Sequence, residues 1–181
     1  RSTITAEADA TGTLDLADPN ALIWSMAFDS PDATADLFIP PDGPAMTVVV
    51  AEASGKRSHG TLVRRALAPD VDVQEVRAPG VIGRLFLPAS AAPTPGVVLF
   101  PGSEGGLDSQ SSNAALLASH GCTALVAATF AGDGPPYDGL PAQLERVPLE
   151  RFTDAVRWLA GHEHVDAARV SAMAISRGSE G

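Results

Sequence analysis

Five residues late in the chain, Ala174-Ile175-Ser176-Arg177-Gly178, have types and spacing suited to nucleophilic acyl transfer. A serine attacks best from a sharp strand-to-helix turn that raises its hydroxyl clear of the backbone. Such a turn tolerates only small residues two before and two after the nucleophile. Ala174 and Gly178 meet that demand, although the pattern is usually written with glycine first. Ser179 is a rival, but Arg177 stands two residues before it, where bulk would clash. Ser103 lacks the pattern altogether. The same pentapeptide would also serve as a helix cap after a buried strand, and by itself it does not separate the two uses.

Attack by Ser176 would place negative charge on a carbonyl oxygen. That charge needs backbone N–H groups, one from the residue after the nucleophile and one from an earlier strand-to-helix loop. Arg177 supplies the first. The turn Gly102-Ser103-Glu104-Gly105-Gly106 is placed to supply the second from Ser103 or Glu104, its glycines letting the backbone bend towards the site. Taken alone that turn is an ordinary connection; it gains meaning from standing before the serine turn in the expected chain order.

The general base is not in evidence. In the fold that carries such a turn the order is serine, then acid, then histidine, whereas His59, His120, His162 and His164 all precede Ser176. They read as structural or surface residues, and both partners of Ser176 are expected beyond Gly181. No His, Cys or carboxylate spacing suggests a metal site, and no cofactor is expected. Arg177 stands in a helix's first turn, where a cation is mildly unfavourable, so it either contacts an anionic substrate group or is solvent-exposed or salt-bridged. Glu180 suits that helix start. Cys122 reads as a small core residue opening a strand, while Asp133 and Tyr137 lie in a loop on the elbow side of the sheet.

These residues need elements to hold them. From Pro69 onward, Val71 to Val76 and Val81 to Leu87 pair around Ala78-Pro79-Gly80. Gly96 to Phe100 and Cys122 to Ala128 are continuous apolar runs, typical of strands buried on both faces. Ala114 to His120 forms a helix stopped by Gly121. Leu144 to Leu159 is predicted to be an amphipathic helix with Phe152, Ala155, Val156 and Leu159 on one face, and Val170 to Ala174 is the last strand. Strands alternating with helices imply a parallel sheet with right-handed crossovers. The first 68 residues differ. Short strand candidates at Ile23 to Phe28, Ala35 to Ile39, Met46 to Ala53 and Gly60 to Ala66, parted by Asp/Pro/Gly clusters, suggest an antiparallel sandwich. The expected organisation is therefore a partial β-sandwich over 1–68 and the first half of an α/β-hydrolase fold over 69–181.

Composition limits the partners. The 181 residues are 45% hydrophobic and carry a formal net charge of −10. That field repels phosphate backbones, so nucleic acid is an unlikely partner in electrostatic terms. No apolar run approaches the roughly 18–20 residues that span a bilayer. The single cysteine forbids an internal disulfide. A strand-like start at Arg1 and a helix start at Gly181 suggest an internal portion of a longer protein.

Several segments resemble the acyl-CoA thioester hydrolase / bile acid-CoA:amino acid N-acyltransferase family. They are Gly83-Arg84-Leu85-Phe86-Leu87-Pro88, Gly96 to Phe100, Gly102 to Leu107, Pro148-Leu149-Glu150-Arg151-Phe152, Trp158-Leu159, Val165-Asp166 and Ile175-Ser176-Arg177-Gly178. Upstream, Gly12 to Leu16 and Leu22 to Met26 resemble the β-sandwich domain that precedes the hydrolase domain there. The resemblance implies an acyl-CoA or other acyl thioester substrate and a covalent acyl-serine or acyl-cysteine intermediate. Ser176 in that place favours hydrolysis over transfer to an amine. Phe100-Pro101-Gly102 stands where many hydrolases open the oxyanion loop with His-Gly, which leaves the donor open between Ser103 and Glu104. The expectation is an acyl-CoA thioesterase, with N-acyl transfer or non-catalytic binding as alternatives. The Ala/Gly/Pro-rich composition suggests a bacterial protein. The expected location is cytoplasmic, and these 181 residues alone are expected to be inactive, because no base can reach Ser176.

Overall fold

A computed structural model describes residues 45–53, 55–132 and 136–181. The strands predicted before residue 45, and Asp133, lie outside the described residues. The chain divides into two compact units, Arg1–Pro40 and Pro41–Gly181.

The second unit opens with an antiparallel hairpin, β1 (Ala45–Ala53) and β2 (Lys56–Arg64), with Ala53 facing Lys56. A separate mixed sheet of five strands follows: β3 (Asp72–Ala78), β4 (Val81–Leu87), β5 (Thr94–Phe100), β6 (Thr123–Ala128) and β7 (Val165–Ala174). Their order is β3-β4-β6-β5-β7. β4 runs antiparallel to both β3 and β6, whereas β5 runs parallel to β6 and β7. The two-residue turn Pro79-Gly80 sets the β3–β4 register, with Ala78 facing Val81; proline followed by glycine suits the centre of such a turn.

Two helices cover opposite faces. α1 (Asp108–Ser119) buries Ala114, Ala115 and Ala118 against Phe86, Leu99, Ala124, Val126 and Ala128. α2 (Glu150–Ala160) buries Ala155 and Leu159 against Leu85, Val98, Phe100, Leu125 and Ala127. Adjacent residues of β5 and β6 thus feed different cores, because successive strand side chains alternate between faces. β6 lies between β4 and β5 and is buried at every residue.

This topology fixes where a ligand can sit. The chain leaves β5, passes through α1 and enters β6 on one side, then passes through α2 and enters β7 on the other. The direction of winding reverses at β5. In such sheets the crevice at the carboxyl ends of the strands flanking the reversal is free of crossover chain and accepts ligands.

Four expectations are corrected. The helix predicted from Leu144 begins only at Glu150. Pro148 disfavours helical backbone at Val147, Arg146 takes a positive φ of 54°, and Leu144 and Leu149 are exposed. The last strand starts at Val165 rather than Val170, with a register irregularity against β5 between Thr94 and Gly96. Cys122 is half-buried and lies one residue before β6, which Thr123 opens. Conversely α1 begins earlier than Ala114, since polar residues from Asp108 form its outer first turns, and Gly121 ends it with φ 88° as expected.

Candidate active site

The site is built at the last rung between β5 and β7, where Phe100 pairs with Ala174. One residue on, the Ile175 N–H still donates to the Phe100 carbonyl at 3.4 Å. Ile175 is extended, and Ser176 then turns to φ 52°. Among the described residues only Ser176 and Arg146 combine a side chain with positive φ. Such a conformation costs on the order of 1–3 kcal/mol and persists only where its surroundings impose it.

The residues after Ser176 lock the turn. Ser176–Glu180 form a short 3-10 turn rather than an α-helix. The Gly178 N–H donates to the Ile175 carbonyl at 3.0 Å, and Ser179 Oγ donates to the Ser176 carbonyl at 2.6 Å. Ser179, the rival nucleophile, is thus engaged in closing the turn. Gly178 lies so close to the Pro101 carbonyl that a Cβ could not be accommodated. That contact is the physical reason for a small residue two after the serine.

The second turn meets the first at Gly102. A Cβ added there would stand 3.2 Å from Ser176 Cβ, 3.3 Å from the Ile175 carbonyl and 2.8 Å from Glu104 Oε2. The serine and the Glu104 carboxylate therefore both press on Gly102, and even a methyl group there would force a neighbour to shift. Pro101 and Gly102 are buried, while Ser103 and Glu104 are exposed at the mouth. The structure thus brings Ser176, Arg177 and the Ser103–Glu104 turn together at the ends of adjacent parallel strands.

Sequence reasoning missed what the Glu104 side chain does. Its Oε1 accepts the Gly102 N–H at 3.0 Å. Burial raises its pKa, but hydrogen bonds from the Ser109 hydroxyl and from the N–H groups of Glu104 itself and Gly102 outweigh that. They hold the carboxyl below its ordinary range. A glutamate amid glycines carries no sequence signal of that kind, because its partners are chosen by how the turn folds.

The remaining polar residues lie elsewhere or are paired. Arg177 Nη1 lies 2.9 Å from both carboxylate oxygens of Glu180, with both side chains more than half exposed. Arg177 is thus paired with Glu180, and an exposed pair of this kind contributes little stability. Tyr137 packs beside the α1 core, with the Arg77 guanidinium 4.9 Å from its ring centre. His120 follows α1, and His162 and His164 precede β7, all at the strands' amino ends away from Ser176. His162 stacks loosely between Trp158 and His164 and accepts the His164 N–H on Nδ1. Burial first, then the neighbouring His164, lowers its pKa. His59 is exposed on β2. No histidine is hydrogen-bonded to Ser176 among the described residues, and none there belongs to a group of three metal-ligating side chains. No helix among them is long and apolar enough to cross a membrane.

A mixed α/β sheet with a strained serine at a carboxyl-end turn belongs to the hydrolase-like class of architecture, and the relatives narrow it further. Mouse acyl-coenzyme A thioesterase 1 is 32% identical over 96% of this chain and 44% of its own length. Mouse bile acid-CoA:amino acid N-acyltransferase is 38% identical over 66% of this chain and 27% of its own. Human acyl-coenzyme A thioesterase 1 is also 38% identical, over 65% of this chain and 26% of its own. The chain's curated homologues are acyl-CoA thioesterases and bile acid-CoA:amino acid N-acyltransferases, the family its motifs resemble. The chain spans less than half the length of these relatives. No family model matches it. Among solved structures, a dienelactone hydrolase-like promiscuous phosphotriesterase from metagenomic libraries is 27% identical over 60% of this chain and 51% of its own, with a TM-score of 0.46.

Proposed function

We propose that the chain carries the nucleophile and oxyanion turns of an acyl-CoA thioesterase. The observation that carries this reading is the left-handed backbone at Ser176, set against the Gly102 turn at the winding reversal. A strained serine has no packing purpose there, since its side chain is exposed.

Ser176 Oγ attacks the thioester carbonyl, and its proton passes to a histidine supplied by further chain. The N–H groups of Arg177 and of the Ser103–Glu104 turn hold the oxyanion. Collapse of the tetrahedral intermediate breaks the C–S bond, and the histidine returns the proton to the leaving thiolate. Water, deprotonated by the same histidine, then attacks the acyl-serine; the ester C–O bond breaks, the histidine returns the proton to Ser176 Oγ, and the carboxylic acid is released. In this reading the first 68 residues form the later part of a β-sandwich and 69–181 the first half of the hydrolase domain.

The test is a rapid-mixing measurement on the full-length protein with an acyl-CoA. An early burst of free thiol is expected, equal to the enzyme present and absent in Ser176→Ala; a burst that survives the substitution overturns the assignment. The relatives named as N-acyltransferases favour a second reading, transfer to an amine. Product analysis with and without glycine separates the two: acid alone supports hydrolysis, and an N-acyl product supports transfer. No burst at all in the full-length protein would leave the non-catalytic binding reading.

A further inference from the structure

We propose that Glu104 is a positioning residue for the oxyanion turn, its carboxylate holding the Gly102 N–H so that the N–H groups of Ser103 and Glu104 are the ones offered to the substrate carbonyl. This rests on the reading of Ser176 given above.

The N–H groups of the turn divide by partner. The Gly102 N–H donates to Glu104 Oε1 at 3.0 Å. The Gly105 N–H donates to the Gly102 carbonyl at 3.2 Å and the Gly106 N–H to the Phe130 carbonyl at 3.0 Å. The N–H groups of Ser103 and Glu104 donate to no other residue among the described residues, and both residues are exposed at the mouth of the crevice. An N–H already bound to a carboxylate is a poor oxyanion donor, because the new bond must break a charge-assisted one. Gly102 is thereby set aside, and the donors left to the substrate are those of Ser103 and Glu104.

Position and charge fit the same role. The carboxylate and Ser176 Cβ both lie against Gly102, and an unsatisfied anion there would oppose a developing oxyanion. Bound to the Gly102 N–H, it instead holds that group to itself and leaves the next two unengaged. The turn also has little freedom to find another shape. A Cβ on Gly105 would stand 2.6 Å from the Phe130 ring, and one on Gly132 would overlap the Glu104 carbonyl. Without its carboxylate the turn would keep its place on the sheet but lose the orientation of its N–H groups.

The effect should fall on the transition state and not on substrate binding or folding. In the full-length protein, Glu104→Ala is expected to lower kcat for p-nitrophenyl butyrate about tenfold to a hundredfold, below the loss for deleting a whole donor. KM should stay within about twofold, since ground-state contacts are untouched. Inhibition by butylboronic acid, which mimics the tetrahedral adduct, should weaken by the same factor as kcat. Glu104→Gln retains one acceptor and should fall between. Enzyme is counted by fluorophosphonate labelling, so that a less stable variant is compared per active site. An unchanged kcat per labelled site, or a raised KM with unchanged boronate inhibition, would overturn the Glu104 proposal and leave the serine reading intact. Labelling and turnover that persist in Ser176→Ala would overturn both.

Discussion

The two turns that face each other across the site are held in opposite ways. The turn after β5 is embedded, with Pro101, Gly102, Gly105 and Gly106 buried, and Glu104 binds it from within. The turn after β7 is exposed from Ile175 to Arg177 and carries the strain at Ser176. The strands beneath them differ likewise. Within these 181 residues β6, on one side of β5, is buried at all its residues, whereas β7, on the other, is exposed along most of its length. The strained turn is thus kept in shape mainly by contact with the embedded one, at Ile175 to Phe100 and Gly178 to Pro101. Strain at a functional turn persists only where surrounding structure over-determines it. Here a rigid neighbour does so, not the burial of the strained residue.

Substitutions can break or sharpen that contrast. The largest effect is expected at Gly178→Val, whose side chain collides with the Pro101 carbonyl and pries the turns apart. Acylation of Ser176 in the full-length protein should fall about a thousandfold, comparable to losing an oxyanion donor outright, as measured by fluorophosphonate labelling rate. Next, the strands should differ in stability. Leu125→Ala in β6, at 0% exposure, is expected to cost about 2–5 kcal/mol in denaturant unfolding, and Met173→Ala in β7, at 38%, less than about 1 kcal/mol. Equal costs would mean that β7 is as firmly embedded as β6.

A smaller effect isolates the strain itself. Ser176→Gly should be more stable than Ser176→Ala by up to about 1 kcal/mol, because glycine accepts positive φ where alanine does not. Both lack the hydroxyl, so the difference in unfolding midpoint reports backbone alone, and no difference would mean the turn is relaxed. The smallest effect lies at the far end of the sheet. The lowered pKa of His162 means that the folded state disfavours its protonation. The contribution is neutral at high pH, and stability declines as pH falls below the unfolded value of about 6.5. Melting scans at pH 7.5 and 5.5 should show that decline shrinking in His162→Gln, with Ser176 labelling at pH 7.5 unchanged.

The continuous apolar runs of β5 and β6, the turn at Pro79-Gly80 and the small residues around Ser176 are legible in the sequence because each states a local requirement. Burial on both faces leaves no polar alternation, and a sharp turn leaves no room for a side chain. The start of α2 was misread because apolar periodicity continues through Leu144 while Pro148 and the backbone at Arg146 interrupt the helix. Periodicity reports which residues favour one face, not whether the chain between them can stay helical.

From the chain's residues alone came the candidate nucleophile, the turn that faces it and the order in which they occur, since these depend on residue size and backbone freedom within a few positions. Only the tertiary structure decided that β7 lies against β5 and that the Gly178 and Gly102 turns touch. Those facts depend on contacts between segments some 70 residues apart, and such contacts arise when the sheet closes, not within any single stretch of sequence.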